Sequence, residues 1–253
     1  MLDYVKKVKD FQVPEGKTAV FWLGQAGFLI KTGEGTLCYV DPYFSNCCER
    51  HFGFRRLMPA VIGPKDIPAD LLLVTHAHFD HLDIDSLDDF VSMDSMKIFA
   101  AKDTREYLEP YGLLPDRLLY LGVGDTAAYK DISVMAVKCD HGELAPDALG
   151  FVIRTGNSRI YVAGDTAFRP DWFGDPELHG ADLFIAPING AFGNMDSDQA
   201  VAAAKILQPK LTVPCHFWNF AEHGGDPMRF KEGMELEGMP YTLMSVYGDP
   251  VLI

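Results

Sequence analysis

Short apolar runs alternate with polar, glycine-rich breaks along most of the chain, and the period of each run predicts the element it forms. Residues 19–23, 28–31 and 37–41 read as three strands of a β-meander, with Gly24, Gly27, Gly33 and Gly35 marking the turns between them. The wholly apolar stretch 71–74, continued by Thr75, predicts a buried strand. Over 83–91, Ile84, Leu87 and Val91 recur at helical spacing with acids near the start, so a helix is expected there. Residues 97–101 predict a strand and 104–111 a helix. The second half repeats the mixture. Strands are expected at 132–137, 148–155, 159–163 and 183–187, then a helix at 197–207 with Ser197 as its N-cap. A strand at 211–214, a helix at 227–235 and closing strands at 241–244 and 251–253 complete the pattern. This order predicts an α/β fold of mixed sheets covered by helices. With 253 residues and 48% hydrophobic composition, the chain can build one large core, so a single domain over 1–253 is expected.

Charge narrows the class of partner. The 36 acidic and 22 basic side chains give a formal charge of −14. Two bound divalent cations would bring that only to roughly −10, which argues against a general nucleic-acid surface. The five cysteines, Cys38, Cys47, Cys48, Cys139 and Cys215, are odd in number and irregularly spaced, as expected of reduced thiols. The N-terminus has no signal-peptide pattern and no stretch reaches the ~18 apolar residues of a membrane span, so a cytoplasmic protein without a membrane partner is expected.

The chemistry is concentrated at strand ends. The run Thr75-His76-Ala77-His78-Phe79-Asp80-His81 follows the predicted buried strand directly. His76 and His78, two apart on extended backbone, point the same way, and Asp80 and His81 lie on a turn that can aim at a second ion. His141 follows the 132–137 strand, Asp165 follows 159–163 through Gly164, and His216 follows 211–214. Alone, each of these is more often a hydrogen-bonded histidine or a turn aspartate. Together, strand termini on one sheet edge can converge on a common cleft. His51, His179 and His223 fall outside this pattern, and His179 beside Gly180 reads as a helix-end residue.

The order His-x-His-x-Asp-His, then His, Gly-Asp and His resembles the metallo-β-lactamase superfamily over almost the whole chain. The segment Trp22-Leu23-Gly24-Gln25-Ala26-Gly27-Phe28, the pair Asp41-Pro42 and the run Ala163-Gly164-Asp165-Thr166 resemble the branch that contains L-ascorbate-6-phosphate lactonase and related metal-dependent hydrolases. The resemblance implies a four-layer αβ/βα sandwich with the active site at the edge of two mixed sheets. It implies that His76, His78 and His141 hold one divalent ion, that Asp80, His81 and His216 hold a second, and that Asp165 bridges them. Imidazole and carboxylate donors suit zinc or manganese, and a hydroxide shared by the two ions is the expected nucleophile. Asp80 or a metal-bound water is expected to handle proton transfer to the leaving group. Asp41 is expected behind the ligands, orienting a histidine, and the Thr166 hydroxyl is expected to support Asp165. His78 stands where oxygen-reducing di-iron members carry glutamate, which favours hydrolysis over redox chemistry. Asp165 stands where β-lactamases with a thiol ligand carry cysteine, which argues against antibiotic hydrolysis. Cys139 and Cys215 are expected to pack.

For the substrate, Arg50, Arg55 and Arg56, set among aromatics in an acidic chain, are candidates for a rim that binds phosphate or carboxylate. The alternative is that their segment packs locally or against another subunit, as in a homo-oligomer. Trp218 and His223, just beyond His216, are candidate pocket residues. The leading expectation is a hydrolase that opens a small anionic lactone, such as that of a phosphorylated sugar acid. The other readings are a phosphodiesterase or nuclease on the same centre, and a metal-binding regulatory protein without activity.

Overall fold

The computed structural model describes residues 2–253. Strands β1 (Thr18–Gly24), β2 (Gly27–Thr32), β3 (Leu37–Val40), β4 (Leu71–Val74), β5 (Lys97–Ala101) and β6 (Leu118–Leu121) lie in one sheet. Strands β7 (Thr126–Tyr129), β8 (Ile132–Lys138), β9 (Leu149–Thr155), β10 (Ser158–Val162), β11 (Leu183–Pro187) and β12 (Thr212–Cys215) form the other. The last strand, β13 (Val251–Leu252), returns to the edge of the first sheet beside β1. Both sheets are mixed. β1, β2 and β3 form the antiparallel meander, while β3, β4, β5 and β6 run parallel. In the second sheet β10, β11 and β12 are parallel, and β7, β8, β9 and β10 alternate.

The alternation of side chains along each strand explains the layers. In β1, Val20 and Trp22 enter the core between the sheets, whereas Ala19, Phe21 and Leu23 face outward. That outer face is covered by the helices Leu2–Asp10 and Leu87–Val91, through Tyr4, Val5, Val8 and Phe90. The far face of the second sheet is covered by the helices Ser197–Leu207 and Pro227–Leu236, through Ala200, Ala204, Phe230 and Met234. The result is a four-layer αβ/βα sandwich whose central strands, such as β1, β4 and β11, are buried on both faces and so read as continuous apolar runs. Among the described residues no helix is long and apolar enough to cross a membrane.

Several expected boundaries move for identifiable reasons. The 83–91 helix begins only at Leu87, because the Asp83 carboxylate turns back to accept the Phe44 and Ser45 N–H groups. Segment 104–111 keeps a single α-helical turn, Arg105–Leu108, flanked by tighter 3₁₀ turns, with Pro110 in the second. Asp196, not Ser197, caps the 197–207 helix, and with Gln199 it forms a capping box. Segment 241–244 is not a strand. Tyr241 makes one bridge to Thr212 before the chain turns away.

Candidate metal centre

The topology carries every candidate ligand to one edge. β3 and β4 are parallel, and β8, β10 and β12 share a direction, so the backbone after each strand emerges on the same side. Two hydrogen bonds tie the sheets together there: Leu149 N–H donates to Thr75 O at 2.9 Å, and His216 N–H donates to Gln25 O at 3.0 Å. The backbone bends sharply at this edge. Asp41, Gln25 and His216 have φ of 44°, 52° and 62°, a left-handed region costly for residues other than glycine. Gly164, with φ of 69°, precedes Asp165 where a Cβ would lie 2.7 Å from Leu149 O, so the close approach of these two turns requires glycine.

Two groups of donors result. His76 Nε2 lies 3.0 Å from His78 Nδ1, which lies 3.2 Å from His141 Nε2. Beside them, His216 Nε2 stands 3.3 Å from Asp80 Oδ2, 3.1 Å from Asp165 Oδ2 and 3.4 Å from His81 Nε2. Asp165 reaches both groups, with Oδ1 3.3 Å from His81 Nε2 and Oδ2 3.9 Å from His141 Nε2.

The second ring nitrogens of His81 and His76 are held from behind. Asp41 Oδ2 is 2.8 Å from His81 Nδ1, and both Asp41 oxygens accept from Thr75, from its N–H at 2.8 Å and its hydroxyl at 2.6 Å. With its proton given to Asp41, the Thr75 hydroxyl can accept from His76 Nδ1 at 3.0 Å. These contacts favour a proton on Nδ1 of both histidines and turn Nε2 of each towards the cleft.

These donors fit metal ions. Bonds of 2.0–2.1 Å in a tetrahedral zinc site place neighbouring donors about 3.3–3.4 Å apart, close to the separations of 3.0–3.4 Å here. Lone pairs so arranged repel unless a cation or proton lies among them. Buried Asp165 Oδ1 and His141 Nδ1 have no hydrogen-bond partner in the protein. Among the described residues no lysine or arginine pairs with Asp41, Asp80 or Asp165.

The electrostatics point the same way. Burial alone would lower the pKa of His81, but Asp165, Asp80 and Asp41 outweigh it and hold it well above the usual range. The carboxylates raise His216 to about 9 against the same burial. Burial would raise Asp80 and Asp165, but the histidines hold both ionised. His141 falls to about 4, mainly through burial and then its histidine neighbours, and is a neutral donor.

Other candidates are placed differently. Thr166 Oγ1 accepts Asp140 N–H at 2.9 Å and donates to Ala167 O at 3.1 Å, so it holds the loop behind Asp165 rather than touching the carboxylate. Arg50 pairs with Asp85 at 2.5 Å. Arg56 donates to the carbonyls of Met58, Tyr43 and Ser45, and Arg55 lies on a separate surface depression with Leu57 and Pro59. None of the three lines the cavity in front of the donors, and neither does Trp218, which is half exposed. His223 does line it, with its ring parallel to that of His216 at 5.1 Å. Gly225 brings it there, since the backbone passes Phe217 so closely that a Cβ would lie 2.6 Å from Phe217 Cβ. Cys139 and Cys215 are thiols driven well above their usual pKa, first by burial and then by Asp165.

Gln25 is a site residue to which the sequence pattern gave no role. Its amide nitrogen donates to Asp80 Oδ2 at 2.8 Å and lies 3.1 Å from His223 Nδ1. The turn Gly24-Gln25-Ala26-Gly27 was visible, but not the partners that Gln25 meets.

Known proteins resemble this chain in sequence and in fold. Residues 37–217 match the family model described as beta-lactamase superfamily domain. A protein from Polynucleobacter asymbioticus named UPF0173 metal-dependent hydrolase is 31% identical over 221 residues, covering 80% of this chain and 75% of its own. A protein of the same name from Opitutus terrae is 31% identical over 235 residues, covering 88% of this chain and 95% of its own. Among solved structures, a metallo hydrolase from Ignicoccus hospitalis superposes with a TM-score of 0.75 at 22% identity, over 94% of this chain and 98% of that one.

Proposed function

The chain belongs to the beta-lactamase superfamily, and from that premise we propose that the cleft between the sheet edges is the active site of a metal-dependent hydrolase. The observation that carries this reading is the pair of donor groups joined by Asp165. His76, His78 and His141 would hold one divalent cation, and Asp80, His81 and His216 a second, with Asp165 shared and zinc or manganese suited to the donors. Bound there, such a pair supplies an acidified water and neutralises negative charge on the reacting oxygens. Asp41 and Thr75 fix the ring orientations of His81 and His76. Gln25 orients Asp80 through its amide. Asp80, held ionised and lining the cavity, starts the cycle able to accept a proton at its carboxylate and return it to the leaving group. A cytoplasmic setting belongs to this reading, supported by five unpaired cysteines.

The proposed reaction is opening of a lactone. The oxygen of water bonds to the carbonyl carbon, the ring C–O bond breaks, and a proton from water ends on the departing alkoxide. A phosphorylated or otherwise anionic substrate finds no guanidinium or ammonium on the cavity wall, because Arg50, Arg55 and Arg56 are engaged elsewhere. A nuclease would need several phosphate contacts along an open groove. Here the cavity is about 280 Å³ with aromatic walls, in a chain of charge −14. A regulatory protein without activity would have little need for a complete donor set.

Assay of lactones and of bis-p-nitrophenyl phosphate on one metal-loaded sample tests the reading. It expects lactone opening, abolished by Asp165→Ala, and weak diester cleavage. Efficient, salt-sensitive RNA or DNA cleavage without lactone opening would replace it with the nuclease.

A further inference from the structure

The cavity is polar only at its floor, where His78, Asp80, His141, Asp165, His216 and His223 meet. Its walls are Cys48, Phe52, Phe54, Phe79, Leu144 and Phe192. Cys48 adds no charge, since its hydrogen bond with Cys47 and its burial drive the thiol pKa far up. The aromatic rings form a connected collar, with centroids 5.4 Å apart for Phe52 and Phe79, 6.0 Å for Phe54 and Phe192, and 5.2 Å for Phe192 and His223. Three apolar residues stand at the mouth with large exposed surfaces: Phe52 at 56%, Leu144 at 56% and Phe192 at 47%. They come from three separate segments. Phe192 is held in the left-handed region at φ of 54°, a strained backbone for an exposed phenylalanine. An apolar rim converging on a reactive floor marks a ligand surface rather than scattered surface residues.

Size and charge restrict the occupant. A cavity of about 280 Å³ is of the size that takes a small molecule rather than a polymer. With no lysine or arginine among the wall residues, a substrate whose body is anionic would bury its charge against aromatic rings without a partner.

We propose that the substrate is a small uncharged molecule with an aromatic or branched alkyl group. That group sits among Phe52, Phe54, Phe79 and Phe192, and the hydrolysable end lies on the Asp80 and Asp165 floor. This specificity rests on the hydrolase reading above. The collar gains affinity from the apolar surface it removes from water, roughly ten- to hundredfold for a group the size of a phenyl ring.

The experiment compares γ-phenyl-γ-butyrolactone with phosphogluconolactone on the metal-loaded enzyme. It also follows binding of the hydrolysis-resistant γ-phenyl-γ-butyrolactam by ligand-observed NMR. The expected result is a kcat/KM at least tenfold higher for the phenyl lactone. Phe52→Ser and Phe192→Ser should each raise its KM about tenfold, lower kcat less, and leave metal content unchanged. The lactam should bind wild type and be lost from the serine variants. If neither lactone is opened but the lactam binds in this collar-dependent way, the substrate class stands and lactone hydrolysis falls. A preference for phosphogluconolactone overturns the inference and leaves the hydrolase reading intact. Failure of the lactam to bind, or binding insensitive to Phe52 and Phe192, overturns the inference in every case.

Discussion

Gln25 and His216 hold each other from two sides. The Gln25 carbonyl accepts the His216 N–H at 3.0 Å, and the Gln25 amide nitrogen stands 3.2 Å from His216 Nε2, with both residues at left-handed φ. The first contact closes the two sheets on one another, and the second places an amide beside a proposed ligand and Asp80. Replacing Gln25 by alanine keeps the backbone contact and removes the amide. Affinity for the second cation should fall about tenfold to a hundredfold, in the range for groups that support ligands, while the fold is retained. Titration of the apo-protein with Zn²⁺, alongside circular dichroism, checks both; unchanged affinity would reduce Gln25 to a turn residue.

Asp41 makes a similar but stronger case. Its carboxylate accepts from Thr75 twice and holds His81 Nδ1 at 2.8 Å, all in the buried interior. Asp41→Asn should cost roughly 10- to 100-fold in metal affinity or activity, because an amide can present its NH₂ to His81 and favour the wrong tautomer. Thr75→Val should weaken the site less. Equal and negligible effects from both variants would remove this support from the account.

Gly164→Ala tests the close approach that aims Asp165. The added methyl meets Leu149 O at 2.7 Å on a backbone with φ of 69°. A loss of about 1–3 kcal/mol in unfolding free energy is expected, measured by urea denaturation of the metal-free protein so that cation binding does not mask it. Wild-type stability would mean that this turn can relax.

The candidate donors were legible in the sequence, and their surroundings were not. A histidine at the end of an apolar run is visible because strand and donor are neighbours in the chain, and parallel strands then carry His76, Asp165 and His216 to one edge. Gln25 could not be read this way, since His216 lies 191 positions along the chain. Arg56 misled for a related reason. Composition records a positive charge but not that Tyr43 O and Ser45 O take it. The helix Leu2–Asp10 escaped notice because it is short and its end is held by Lys31, whose ammonium donates to the carbonyls of Val8, Lys9 and Phe11. The strand Thr126–Tyr129 sits at a sheet edge, half exposed, and lacks the apolar run that marks a central strand. Phe192 and Leu144 look like ordinary loop residues until the loops are brought around the cleft.

Cation binding should also stabilise the fold. A ligand that binds only the native state at a free concentration of 100 Kd contributes about 2.7 kcal/mol. Melting curves with and without chelator should separate, and Asp165→Ala should narrow the gap. Superimposable curves for wild type would argue that the donors do not take up the ion.

The most direct measurement is anomalous scattering from crystals of the protein loaded with zinc. Two peaks roughly 3.5–4 Å apart are predicted, one within reach of His76, His78 and His141, the other within reach of Asp80, His81 and His216, with Asp165 between them. A single peak that stays single in excess zinc, or peaks away from these residues, would contradict the paired-cation centre on which the proposed function rests.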